Sequence, residues 1–220
     1  MNSIIERVNT VCQSVRSTNS DPISFKKLVG QLRRTFKNHQ LDLLIKTKKD
    51  KTLDVGGFYV MAYYDPEDDA HDDTPIEVIA YHNFPDTYYF SKLQITDFLI
   101  QIFDAVVHEF RHRYQSVKRK YITYSSHESS PYKEYLADPD EVDAYALSIA
   151  IELLRHIDVY RARKNLSRIS VMSKMRKGTE FVSPNLRAYI AHFGLSKLTK
   201  KIAKKVYKHL GTIDKQHIFM

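Results

Sequence analysis

Cysteine is almost missing from this chain. Cys12 is its single cysteine, so no internal disulfide can form, and the composition suits a reducing compartment. Long apolar runs are missing too: nothing approaches the roughly 20 residues of a membrane-spanning helix, and the mean hydropathy is −0.43. The opening Met-Asn-Ser-Ile-Ile-Glu-Arg-Val has no apolar core of a secretory signal. The expected location is therefore the cytoplasm, without a membrane span. No internal repeat is visible, and no nucleic-acid-binding motif of recognised spacing occurs.

What is present suffices for a real core. Of 220 residues, 43% are hydrophobic, and one domain over residues 1–220 is expected. Three parts are distinguished within it. Residues 1–40 form a helical N-terminal segment, 41–163 a sheet with the site-bearing helices, and 164–220 a basic helical C-terminal part. The net charge of +8 is uneven: residues 151–220 carry about +12 and the rest is slightly acidic. A basic solvated face is the simple explanation. A surface for an acidic partner or nucleic acid is the alternative.

Glycine and proline are absent from residues 96–115, where Phe98, Leu99, Ile102, Phe103, Val106, Val107, Phe110 and Tyr114 recur at helical spacing. The pattern predicts a helix, capped at Thr96 or Asp97, with one broad apolar arc. His108-Glu109-Phe110-Arg111-His112 lies on it and reads H-E-x-x-H. Positions i and i+4 share a helix face, so His108 and His112 fall together off the arc. Two imidazoles there can grip one Zn²⁺ ion. Glu109 can reach a water on that ion and act as general base.

A third ligand must come from elsewhere. Asp138-Pro139-Asp140-Glu141 opens the next long helix, expected to run to about Arg163, with Asp138 as N-cap and Pro139 at the first helical position. Glu141 has two competing uses. It can close a capping box with Asp138, or it can complete a His₂Glu metal site. Glu134 and Glu128 are the other acids within reach of the argument. Lys118 stands where a third histidine of the longer zinc motif would be, which excludes a His₃ site of that spacing.

His108-Glu-Phe-Arg-His112-x-x-Gln115 followed by Asp138-Pro-x-Glu141-Val-Asp-Ala-Tyr-Ala resembles the gluzincin branch of the zincin metallopeptidases. It particularly resembles the small predicted metallopeptidases often encoded by bacteriophages. The likeness covers roughly residues 55–160 and rests on two short motifs. It implies an α+β zincin-like fold: a small, twisted, mainly antiparallel sheet on the H-E-x-x-H helix, with a helical C-terminal part. It also implies Zn²⁺ on His108, His112 and Glu141, Glu109 as base, and a peptide or protein substrate. For a phage-encoded chain, the location would be the host cytoplasm or the virion. The thermolysin-like E-x-x-x-D pattern has Tyr145 where Asp would stand, so the partners of the histidine ligands stay open.

The remaining segments supply the sheet and further helices. Helices are expected at about Ser3–Arg16 and from Pro22 to about Asn38. Strands are expected at Leu41–Thr47, Phe58–Tyr64 and Pro75–His82. The last two should pair as a hairpin across an acidic solvated tip, residues 65–73. Glu77, Tyr81 and His82 are candidates for cleft lining. Ser167–Ser183 reads as a loop, Ser183-Pro184 as a helix start ended by Gly194, and Leu195–Leu210 as an amphipathic helix. Tyr132, Tyr135, His127 and Tyr145 are candidate oxyanion donors. Gln115 and Asp104 are candidates to orient the imidazoles, while Arg111 and Arg113 read as solvated or ion-paired. The alternative to a peptidase is a protein that binds an acidic partner or nucleic acid through its basic C-terminal part, with a structural or inactive metal site.

Overall fold

The computed structural model describes residues 1–19, 22–72, 75–85, 87–122, 132–171 and 183–220. Among these the protein is mixed α and β, predominantly helical, and divides into two compact units. The first takes Met1, residues 3–121 and the C-terminal Phe219 and Met220. The second takes Asn2 and residues 122–218.

The first unit runs α1 (Asn2–Thr18), β1 (Ile23–Ser24), α2 (Phe25–Asn38), β2 (Leu43–Lys49), β3 (Phe58–Tyr63), α3 (Pro66–Asp72), β4 (Ile76–His82), β5 (Tyr89–Phe90) and α4 (Lys92–Lys118). Short β1 and β5 pair antiparallel. The larger sheet has the order β2-β4-β3, with β4 antiparallel to β3 and parallel to β2. The hairpin partnership of β3 and β4 is as expected. The mainly antiparallel sheet is not, because its second ladder is parallel. Two chain reversals separate β2 from β4, so the two run the same way when they become neighbours, and β4, with Ile76, Val78 and Ala80 fully buried, takes the centre. Gly56, at φ +91°, turns the chain into β3, a backbone conformation that costs glycine little.

The inward face of the sheet meets α2 and α4. Each carries a buried apolar stripe: Leu28, Leu32 and Phe36 on α2, and Phe98, Leu99, Ile102 and Val106 on α4. Phe25, Phe58, Phe84, Phe90 and Phe98 form an aromatic cluster at one end, mostly edge-on or tilted. Cys12 is buried, and its thiol donates to the Leu99 carbonyl at 3.8 Å, so it is a core residue. Phe219 packs on Phe103 beneath the Arg16 guanidinium.

Within the expected tip, the described residues 65–72 are not a simple hairpin turn. Asp65 Oδ1 accepts from the Glu67 and Asp68 N–H groups and starts α3. Asp69 on this short helix is buried and pairs with Arg113 at 2.7 Å, while the Tyr64 hydroxyl donates to it at 2.9 Å. An acidic run that reads as solvated thus contributes one carboxylate to the interior.

The second unit is helical: α5 (Tyr132–Ala137), α6 (Pro139–His156), α7 (Val159–Val171), α8 (Pro184–Phe193), α9 (Lys197–His209), then a 3-10 turn at Lys215–His217. Helix α6 is buried on most of its surface, as a central helix must be, and α5, α7, α8 and α9 pack on it. The single helix expected to Arg163 is interrupted. Ile157 is extended, and Asp158 Oδ1 accepts from the Arg161 N–H to start α7. Residues 167–171 continue α7 rather than a loop, and 172–182 lie outside the described residues. The start of α8 at Ser183-Pro184, its end at Gly194, and α9 are as expected. The buried Glu152 carboxylate accepts from the Ser183 hydroxyl and from both the backbone and side-chain N–H of Asn185. It thereby fixes the start of α8.

Candidate metal centre

Helix α4 starts one turn before its expected cap. Ser91 accepts from the Gln94 N–H, and the Gln94 side chain accepts from the Ser91 N–H at 3.0 Å, a reciprocal capping box. Thr96 and Asp97 are inside the helix. The signal was in the sequence as Ser-x-x-Gln, one turn ahead of the residues that periodicity favoured. The apolar arc is buried as expected from Phe98 to Phe110, with Ile95 joining it. Tyr114 departs from it: the ring is 47% exposed and lies under the Arg111 guanidinium.

His108, Glu109 and His112 are half-buried on the other side of α4. The Nε2 atoms of the two histidines lie 3.1 Å apart, with ring centroids 4.9 Å apart. Both imidazoles therefore present the same nitrogen to the same small volume. Two nitrogens bound at about 2.05 Å to one tetrahedral ion would stand roughly 3.3 Å apart, so the observed spacing suits a shared cation.

In the second unit, Asp138 caps α6 by accepting from the Asp140 N–H at 2.7 Å and the Glu141 N–H at 3.4 Å. The reciprocal half of a capping box would need the Glu141 carboxylate on the Asp138 N–H. That N–H donates instead to the Tyr135 carbonyl at 3.1 Å. The cap and the ligand role therefore do not compete, and the buried Glu141 carboxylate is not consumed by the helix start.

One ring nitrogen each of His108 and His112 and one carboxylate oxygen of Glu141 lie within 4.8 Å of one another. A His/His/Glu group of this kind can hold a metal ion. The donor set, two neutral imidazoles and a carboxylate, suits Zn²⁺ and other borderline divalent ions alike.

Other sequence candidates fall elsewhere. Glu134 is exposed on α5, and His127 and Glu128 lie outside the described residues. Asp143 pairs with Lys205 at 2.9 Å and faces His209 at 3.6 Å. Tyr145 packs edge-on against Tyr189, and Tyr132 against Tyr135 and His192. Gln115 is buried and Asp104 half-buried on α4.

Glu77, Tyr81 and His82 all sit on the central strand β4, not on an edge. Glu77 pairs with Lys46 of β2 at 2.6 Å. Tyr81 stacks on Tyr59 at 4.7 Å. His82 packs on Phe25 and Phe84, and its Nδ1 accepts from the Phe84 N–H. The strand edges belong to β2 and β3.

Sequence reasoning missed Tyr63 at the end of β3. Partial burial, a hydrogen bond with Tyr81, and the charge of Glu109 all hold its phenol above the ordinary tyrosine range. Nothing local in the sequence ties Tyr63 to a residue 46 positions away. Compared with known proteins, the chain matches no family model, no curated protein and no solved structure.

Proposed function

We propose that the protein is a zinc-dependent metallopeptidase of zincin-like fold. The observation that carries this reading is the gathering of His108, His112 and Glu141 within 4.8 Å, with Glu109 adjoining the first histidine on a continuous helix. A purely structural metal site has no use for Glu109, whereas hydrolysis needs a base at that place.

His108, His112 and Glu141 would hold the ion. When bound, zinc supplies a Lewis acid that polarises a carbonyl and lowers the pKa of water towards neutrality. Glu109 removes a proton from the attacking water and carries it to the departing amine nitrogen. The half-buried setting of Glu109 favours that exchange over a fully solvated one. The edge strand β3 runs beside α4 and offers backbone groups to an extended chain. The test is cleavage of a peptide library by the zinc-loaded protein, abolished by a chelator and restored by zinc.

A second reading has its own observation. Lys197, Lys201, Lys204 and Lys208 are exposed or nearly so along one face of α9, spaced four, three and four residues apart. They form a basic stripe suited to a polyanion. Salt-sensitive retention on DNA or RNA without chelator-sensitive cleavage favours this reading over the first.

A further inference from the structure

The first 150 residues are slightly acidic as a whole, yet residues 25–51 hold nine lysines and arginines against two aspartates. The fold gathers much of that charge on one surface of the first unit. Helix α2 and strand β2 lie side by side and run in opposite senses. The Arg33 Nε–H donates to the Ile45 carbonyl at 2.8 Å. At the start of α2, the Phe25 ring packs on His82, the register partner of Lys49 at the end of β2. Lys26, Lys27, Arg33, Arg34 and Lys37 are all exposed. At 3.6 residues per turn they fall within an arc of about 120°, with Gly30 at its middle. Exposed Lys49 stands beside the first turn of the helix.

Several features of α2 run against its own stability, and they meet on this arc. The helix contains no acidic residue, so Lys26 and Lys27 oppose the macrodipole uncompensated. Arg33 and Arg34 each stand one turn from Lys37, as like-charge neighbours. Lys26, Lys27, Arg34 and Lys37 have no ion-pair partner among the described residues. Gly30 lies in the helix interior, where only proline is less favourable. A Cβ added there would meet nothing within 4 Å, so packing does not call for glycine. An open hollow of about 670 Å³ is lined by Gly30, with Lys26, Lys27 and Arg34 around it. Local rules broken together at one place mark a surface kept for a ligand.

We infer that the exposed face of α2, with Lys49 of β2, docks on the phosphate backbone of a double-stranded nucleic acid. What the face lacks selects this partner. Every residue of α2 that is not buried is polar or glycine. No aromatic ring is offered for stacking on unpaired bases. No apolar side chain is offered as an anchor in a protein partner or among lipid chains. Unpaired cations alone read phosphate charge and not sequence. From Lys26 to Lys37 the helix advances about 16 Å, close to half a turn of B-form duplex. At the middle of that span, Gly30 leaves room for a sugar-phosphate strand to approach the helix closely. Helix α2 belongs to the other unit than α9, and the inference does not depend on the metal centre.

The test is binding of the full chain to a fluorescent DNA duplex of mixed sequence, about two helical turns long, at salt from about 50 to 200 mM. Wild type is compared with the triple variant Lys26→Gln, Lys27→Gln, Arg34→Gln. The α9 lysines are intact in both, so the difference belongs to α2. The triple variant should bind at least about tenfold more weakly at the lowest salt. Its slope of log K against log salt should be shallower by about 2 to 3, as up to three phosphate contacts are lost. A wild type that does not bind the duplex overturns the inference, even if it binds phosphatidylserine vesicles. Unchanged affinity and slope in the triple variant also overturn it, and assign the binding to other cations such as those of α9. A second variant separates docking from folding. Gly30→Glu improves helix propensity and faces Lys26 and Arg34 one turn away on either side, so its urea midpoint should rise. Its carboxylate stands amid the cations, so duplex binding should weaken. A Gly30→Glu protein that binds as tightly as wild type overturns the inference.

Discussion

His108 Nε2 and His112 Nε2 stand 3.1 Å apart on consecutive turns of α4. Two neutral imidazoles can share one hydrogen bond at that spacing, and a divalent cation can hold both, but two imidazolium rings would repel. The arrangement favours a cation over a second proton. The purified protein is expected to carry close to one zinc per chain, by elemental analysis. His112→Ala and Glu141→Ala should each lose most of it. Retention of zinc in Glu141→Ala would move the third ligand to another acid, Glu134 or Glu128.

Glu109 offers the cleanest separation of binding from chemistry. Glu109→Gln preserves size and the helix but cannot take a proton. It should keep the full zinc content and lower kcat by at least 100-fold, within the range general-base catalysis contributes. Comparable loss of zinc and activity would instead mark Glu109 as part of the metal's support. Unchanged activity would remove it from the mechanism.

The meeting of His108 and His112 was legible because it is local: i and i+4 on one helix need only the helix. Glu141 was legible by type, but its freedom from the cap was not, since it depends on the Asp138 N–H finding the Tyr135 carbonyl. Asp69 and Tyr63 were not legible. Asp69 sits in an acidic run whose sequence looks solvated, and only the approach of Arg113, 44 positions on, makes it interior. The order of the strands in the sheet was not legible either. Period-two patterning places side chains on faces but does not say which strand takes the middle.

The Asp69–Arg113 pair should be costly to break on one side. The Asp69 side chain is fully buried and that of Arg113 is 19% exposed. Removing the arginine strands a buried carboxylate, and such changes cost about 3 kcal/mol or more. Arg113→Met is expected to lower stability by about that amount in urea unfolding. The double variant Asp69→Asn with Arg113→Met should recover a good part of it, because no uncompensated charge then remains. A loss under about 1 kcal/mol for the single variant would mean that water or another cation reaches Asp69.

His82 should make the fold sensitive to mild acid. Its ring packs against Phe25 and Phe84, and Nδ1 can accept the Phe84 N–H only while unprotonated. Burial first, and then the charge of neighbouring Lys49, hold its pKa below the ordinary value of 6.5. The folded state therefore resists a proton that the unfolded chain accepts. Above about pH 7 both states are neutral and nothing is lost. As pH falls below 6.5 the unfolded chain gains the proton first, and stability declines until the folded-state pKa is passed. His82→Gln keeps an acceptor but cannot titrate. The drop in urea midpoint between pH 7 and pH 5 should be smaller in His82→Gln than in wild type, since every other titrating group is common to both. An equal drop in the two proteins would show that His82 is protonated as readily folded as unfolded.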